Sequence, residues 1–308
     1  MRDIVAVGDC GVDIYAEVPR LPGYDEKVPG NFIGIFGGGV AANFACAASR
    51  LGMKAGLVST VGDDDFGRRA VESVREFGVD TGGIRVKAGV PSHFCFVNVD
   101  ARGEKSLTIV RTPAFAPTWE DVPIEYLVGT RLVHIAPFDL DMATRVAAHA
   151  ASSGIAVSID LEPGSALAGL DALMPLIGST NVLLTNQQCL ETLFGHVPVE
   201  EAARGLLDLG PIVIVITRGE LGSFVLTLDR AATVSAFRVI VRDTTGAGDC
   251  FNAAFISCWL RGRSPLDCAT YASAAAALSI QTFGARGGLP TEREVERFLR
   301  LSTTEASS

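Results

Sequence analysis

The second half of the chain alternates short, largely apolar runs with longer segments of helical pattern, and that alternation leaves few folds open. The runs fall at 132–135, 155–160, 182–185 and 212–217. The last of these follows Pro211 and reads Ile-Val-Ile-Val-Ile-Thr, β-branched throughout. Segments suited to helices lie near 142–152, 165–177, 189–194 and 200–209. A parallel strand pair needs a long crossover, usually a helix, so strands spaced by helices predict a mostly parallel sheet covered on both faces. Two further runs, 223–228 and 233–237, are expected to add antiparallel strands. Three helices, 247–260, 265–282 and 291–301, are expected to end the regular structure.

The first half is less regular. Strands are expected at 3–9 and 55–61, with helices at 40–51 and 66–77 that stop at Gly52 and Gly78. The runs 12–18, 31–36, 94–100 and 106–110 read as strands of a small separate sheet, with a hairpin turn at 101–104 between the last two. The predicted fold is therefore a three-layer α/β/α domain over 1–301 with a mostly parallel central sheet, plus a small sheet from about 12–36 and 94–110. Residues 302–308 are expected to be a disordered tail. Of the 308 residues, 48% are hydrophobic and 20% charged, enough for a full core.

A net charge of −9 argues against a nucleic-acid surface, since neutralising phosphates needs clustered Lys and Arg. No apolar stretch reaches membrane-spanning length, and the run at the N-terminus is too short for a signal peptide. The seven cysteines are scattered, odd in number and without a Cys-x-x-Cys pair. They read as reduced thiols of a cytoplasmic protein rather than as zinc ligands.

Chemistry concentrates at residues 243–251, Asp-Thr-Thr-Gly-Ala-Gly-Asp-Cys-Phe. Small residues running into an apolar helical pattern make a helix N-terminus with bare backbone N–H groups. Such an end carries roughly half a positive charge and holds anions, phosphates above all. Asp249, in the first turn, would sit beside the anion as a base. Asp249 also fits a plain helix-start acid, and Gly-x-Gly arises by chance. Upstream, Gly37-Gly38-Gly39 precedes an Ala-rich helix that carries Asn43 in its first turn, and Gly62-Asp63-Asp64-Asp65-Phe66-Gly67 follows. Alone, each reads as a tight turn or an acidic helix start.

Together, these strings resemble the two signatures of the ribokinase-like (PfkB) carbohydrate kinases: Gly-Gly with Ala-x-Asn and Gly-x-Asp-x-Phe-Gly, then Asp-Thr-x-Gly-Ala-Gly-Asp. They stand roughly two hundred residues apart in the expected order. The resemblance runs from Val5 to Pro290. It implies ATP-dependent phosphorylation of a sugar hydroxyl, with Asp249 as general base and Gly246, Ala247 and Gly248 as the anion hole. It places Asp13, Gly38, Gly39 and Asn43 on the sugar. It makes the small sheet a lid over the sugar that pairs with a second subunit's lid in a homodimer.

On the nucleotide side, Thr217-Arg218-Gly219-Glu220-Leu221-Gly222 matches the family's Thr-x-Gly-x-x-Gly turn along ATP, giving Thr217, Gly219 and Gly222. Asn186 matches the Asn of the Asn-x-x-Glu motif, but Cys189 stands where the Glu is expected. That Glu is tied to Mg²⁺, and a thiol is a poor partner for a cation that wants hard oxygen. Glu162 is a candidate replacement carboxylate. The resemblance also places K⁺ at Asp243 and Thr245, with carbonyls from 283–287; a turn-capping role for Asp243 stays open.

Discrimination among substrates would lie in Asn31, His93, Phe94, Phe96, Asn98, Arg111 and the turn at 136–139. An unphosphorylated sugar or polyol is the expected acceptor. A nucleoside remains an alternative, with Phe32, Phe36, Phe94 or Phe138 as base platform, as does a sugar phosphate held by Arg111 or Lys105. A catalytically silent sensor is favoured only by Cys189 and opposed by the intact Gly-Ala-Gly-Asp. A dinucleotide-binding dehydrogenase is excluded, because Gly8-Asp9-Cys10-Gly11 is too short for Gly-x-Gly-x-x-Gly.

Overall fold

The computed structural model describes residues 1–100, 102 and 105–305. The first half contains β1 (Ile4–Val7), β2 (Gly11–Val18), β3 (Asn31–Gly38), α1 (Val40–Arg50), β4 (Ala55–Gly62), α2 (Asp65–Arg75), β5 (Asp80–Lys87), β6 (Phe94–Asp100) and β7 (Lys105–Val110). After the short α3 (Ile124–Leu127) come β8 (Leu132–Ile135), α4 (Leu140–Ser152), β9 (Ala156–Leu161), α5 (Pro163–Ala166), α6 (Leu170–Gly178) and β10 (Val182–Asn186). Then follow α7 (Gln187–Phe194), α8 (Val199–Leu207), β11 (Val213–Thr217), β12 (Ser223–Leu226) and β13 (Ala231–Val234). The helices α9 (Ala247–Leu260), α10 (Pro265–Ser279) and α11 (Glu292–Glu305) complete it.

Among the described residues, nine strands form one sheet in the order β13-β12-β11-β10-β9-β8-β1-β4-β5. Neighbours from β11 to β5 run parallel, while β12 and β13 add antiparallel at one edge. Strand side chains alternate between two apolar layers: Ile4 and Ala6 enter one, Val5 and Val7 the other. The first layer lies under α1, α9 and α10, whose alanines let helix and sheet approach closely. The second lies under α4, α6 and α8. Burying one such Val, Leu, Ile or Phe side chain contributes about 1.5–3 kcal/mol. A four-stranded second sheet, β3-β2-β6-β7, stands apart, with β2 and β6 parallel and the other pairs antiparallel. This is the expected α/β/α domain with its small extra sheet. Among the described residues, no helix is long and apolar enough to cross a membrane.

Three departures from expectation have local causes. Strand β5 was not foreseen; it pairs with β4 at the sheet edge. The helix expected over 165–177 is broken into α5 and α6 at Gly169, whose φ of 82° no helix tolerates. The last helix runs on to Glu305, past the expected stop at 301. The turn at 101–104 and the final residues 306–308 fall largely outside the described residues.

Candidate functional site

The parallel strands point their carboxyl ends to one side, and most of the singled-out residues gather there, as ligands do in such sheets. Gly8 and Asp9 follow β1, Glu162 follows β9, and Asn186 and Thr217 end β10 and β11 side by side. Above them stands the N-terminus of α9.

Several helices are closed by their own side chains. Asp64 accepts from the Gly67 N–H, Asp139 from Met142 and Ser264 from Asp267. Helix α9 takes no side-chain cap. Its capping residue, Gly246, holds a left-handed φ of 74° and packs so tightly that a Cβ would lie 2.8 Å from the Ala285 Cβ. At Gly248 a Cβ would meet nothing within 4 Å. The chain thus presents an open helix tip, framed by glycine, where backbone can approach an anion. Ala247 and Gly248 line a cavity of about 870 Å³ together with Thr217, Gly219, Gly222 and Phe251. The size and the open tip fit a nucleoside triphosphate.

Asp249, in the first turn of α9, is 8% exposed. It accepts a 2.8 Å hydrogen bond from Asn43 Nδ2 at the start of α1. Burial, and then the charge of Asp160, push its carboxyl well above the usual range, against the Asn43 hydrogen bond that lowers it; Glu162 and Asp9 raise it further. A buried, proton-hungry carboxylate between two helix starts is suited to general-base work. Asn43 is fixed in turn by Arg286, whose Nε donates to Asn43 Oδ1 at 2.8 Å. The same guanidinium donates to Ser73 Oγ and to the Gly38 carbonyl, both at 2.7 Å.

The expected sugar-side residues converge here too. A Cβ on Gly38 would lie 2.5 Å from Asp13 Oδ1, so only glycine lets that carboxylate stand against β3. Burial raises the Asp13 carboxyl to about 6, against the Arg286 charge. Gly39 begins α1, where Asp9 Oδ1 accepts from the Ala41 N–H at 3.1 Å. Beyond Gly11 lies a wall of rings: His93 packs edge-on to Phe115, and Phe115 to Phe138. Arg111 lies over Phe115, 4.8 Å from its centroid. Phe36 and Phe94 instead pack against Tyr15 and Phe66, while Phe32 is exposed.

Asn186 serves locally, its Oδ1 accepting from the Cys189 N–H at 2.9 Å. The Cys189 thiol is buried and pushed up to about 11, chiefly by that burial, so it stays neutral and offers nothing to Mg²⁺. Oxygen donors lie nearby instead. Asp160 and Glu162 both raise Cys189 and Asp249. Burial raises both carboxyls in turn, with Asp9 adding for each and Asp160 for Glu162, against an Asn252 hydrogen bond that lowers Asp160. Crowded carboxylates of this kind accommodate a hard cation, although no group of acids, His or Cys among the described residues forms a direct metal cage. The donor chemistry fits Mg²⁺ held by nucleotide oxygens and by water molecules from which Glu162 would accept.

Asp243 and Thr245, where the resemblance placed K⁺, also meet a cation of the chain itself. Lys105, from β7, places its ammonium 2.7 Å from Asp243 Oδ1 and 2.7 Å from Thr245 Oγ1. Sequence reading missed this contact, and also the roles of Arg286, Asp160 and Phe115. Lys105, expected as a holder of a sugar phosphate, carried no signal for this contact, and Arg286 carried none at all. Asp160, closing a buried strand, did carry one.

A ribokinase of Bacillus subtilis (strain 168) is 30% identical over 97% of this chain and 100% of its own length. A nucleoside kinase of Methanothermobacter thermautotrophicus is 28% identical over 96% of each chain. The structure of Arabidopsis thaliana ribokinase complexed with ribose and ATP superposes with a TM-score of 0.85 at 26% identity, over 97% of this chain and 99% of that one. The family model for pfkB family carbohydrate kinases matches residues 1–292, and the chain belongs to that family.

Proposed function

We propose that this protein transfers the γ-phosphoryl group of ATP to a hydroxyl of an unphosphorylated sugar or sugar-like polyol. Asp249 takes the hydroxyl proton, the sugar oxygen bonds to the γ-phosphorus, and the bond from that phosphorus to the bridging oxygen breaks to release ADP. The α9 tip, from Gly246 to Gly248, holds the phosphoryl oxygens. The observation that carries this reading is Asp249 itself. It is buried in the first turn of an uncapped helix and hydrogen-bonded to Asn43 on the opposite side. That position supports one carboxylate serving both the anion site and the acceptor site.

Asp13 and Asn43 would hold sugar hydroxyls, beside the close approach that Gly38 and Gly39 allow. Thr217, Gly219 and Gly222 would follow the nucleotide along the large cavity. Phosphoryl transfer needs positioning and charge stabilisation more than covalent chemistry. Holding both reactants supplies up to about 7–11 kcal/mol, and the base adds about 10²–10⁴-fold. Mg²⁺, bound with the nucleotide, neutralises phosphate charge. Glu162 and Asp160 would orient its waters, and Asn186 would keep α7 and Thr217 aligned.

A nucleoside is the second reading, favoured by the Phe115–Phe138 wall. ADP release measured over pentoses, hexoses, their phosphates and nucleosides separates the two. Turnover with a sugar phosphate or nucleoside alone would overturn the sugar reading, and no ADP from any acceptor would favour a silent sensor.

The domain 1–301 acts as one unit in this reading, with the small sheet as lid. The lid carries exposed Phe32, Phe96, Leu107 and Ile109. That apolar surface supports a homodimer, and a single-chain mass in solution would count against it. All seven cysteines are free and buried, in keeping with a reducing, ATP-supplied cytoplasm; detection outside that compartment in fractionated cells would refute it.

A further inference from the structure

Asp243 stands three residues before Gly246, the first residue of the anion hole, and joins three parts of the site. Its Oδ2 accepts from the Gly284 N–H at 2.9 Å, which fixes the loop after α10. Its Oδ1 accepts from the Thr245 N–H at 2.9 Å, from the Thr245 hydroxyl at 2.7 Å and from Lys105 Nζ at 2.7 Å. Lys105 also reaches Thr244 Oγ1 at 3.3 Å. The Asp243 carboxylate is 2% exposed and the Lys105 side chain 17%. Burial would raise the Asp243 carboxyl; the ammonium and the Thr245 and Gly284 donors outweigh it and keep the group ionised.

These are the residues at which the family resemblance placed K⁺. A K⁺ ion needs oxygen lone pairs turned toward it, and Asp243 Oδ1 already accepts from three donors. The donor set does not fit a free cation as well. The charge comes instead from the lid, since Lys105 opens β7 in the small sheet.

We infer that the Lys105 ammonium is a built-in monovalent cation, carried by the lid to Asp243 and Thr245, which does the work of a K⁺ ion beside the anion hole. The inference rests on the kinase reading for its effect on turnover. Its binding consequence does not. Because Lys105 sits on the lid and Asp243 on the phosphoryl-binding loop, the charge is in place only when the lid is seated. Water exclusion and charge stabilisation then arrive together.

The test uses the full chain in KCl, NH₄Cl or tetramethylammonium chloride at equal ionic strength. Two readouts are followed, thermal unfolding without nucleotide and ADP release with the best acceptor. The wild type should respond to K⁺ in neither. Lys105→Met, which keeps the stem and removes the charge, should lose kcat by on the order of 10- to 100-fold, the range for one charged hydrogen-bond partner. The sugar KM should change less. K⁺ or NH₄⁺ should restore part of the kcat and raise the melting temperature of this variant, while tetramethylammonium does neither. Lys105→Gln guards against a folding defect in the first variant and should behave alike. A wild type activated or stabilised by K⁺ overturns the inference. So do variants with unchanged kcat, or with lost kcat and no cation response. Absence of ADP from every acceptor would sink the kinase reading instead, and the melting data would still decide the cation question.

Discussion

Replacing Asp249 with Asn separates its chemical role from its structural one, because the geometry predicts opposite signs for activity and stability. The amide has the carboxylate's size and keeps an oxygen to accept from Asn43 Nδ2, now at 2.8 Å. It removes a charge that burial and the neighbours Asp160, Glu162 and Asp9 make unfavourable. The sign follows from linkage. A carboxyl whose folded pKa is raised binds its proton more tightly when folded, so the ionised form costs stability at any pH above that pKa. Asp249→Asn should therefore unfold at the wild-type temperature or above it. Turnover should fall about 10²–10⁴-fold, or roughly 3–5 kcal/mol of barrier, the contribution of one positioned base. ATP and sugar affinities should hold within a few fold. The assays are coupled ADP release, calorimetric titration of each substrate and a thermal melt. A kcat within threefold of wild type would remove Asp249 from the chemistry. A melting temperature several degrees lower would show that the carboxylate supports the fold, and the argument from like-charge crowding would fail.

Three further predictions rest on separate contacts. Gly246→Ala forces a left-handed residue that costs about 1–2 kcal/mol and drives a Cβ to 2.9 Å from Ala285 backbone. It should lower kcat on the order of 10²-fold by displacing the helix tip, and a variant of normal kcat would show that the tip does not hold the phosphoryl group. Asp13, with its carboxyl raised to about 6, should bind sugar as an anion, so the sugar KM should rise as pH falls through that value. Asp13→Asn should raise KM about 10- to 100-fold and flatten this dependence; a KM that keeps its pH profile in the variant would assign the titration elsewhere. Glu162→Gln should raise the Mg²⁺ concentration for half-maximal rate by about 10- to 100-fold, as loss of an outer-sphere partner does. An unchanged Mg²⁺ dependence would leave the metal to nucleotide and water alone.

Much of the fold was legible because its strands are buried on both faces. The largely apolar runs of β8 to β11, β-branched throughout in β11, need no periodicity to announce them. Strand β5 carries Gly82 and Gly83 inside it, and a pair of glycines weakens any strand pattern. The structure gives the opposite reason for Gly83: a Cβ there would lie 2.7 Å from the Leu57 carbonyl of β4, so the glycine marks a close strand pairing rather than a break. Gly169 was the reverse case, a real break inside a run that looked like one helix.

The site divides in the same way. Gly246 to Asp249 and Gly38 to Asn43 are contiguous strings, so sequence alone places them on helix starts. Arg286 is not recoverable from its neighbours, since in a run of Gly and Ala it looks like a solvent-facing charge. Its partners Asn43, Ser73 and Gly38 belong to α1, α2 and β3. Three acceptors in three directions call for a rigid, planar set of N–H donors, which a lysine's single ammonium on a flexible stem does not provide. The guanidinium is therefore what sets the distance between Gly38, which lies against Asp13, and Asn43, which holds Asp249. Through it, Asp13 and Asp249, proposed above as acceptor-side group and base, are fixed relative to each other before any substrate arrives.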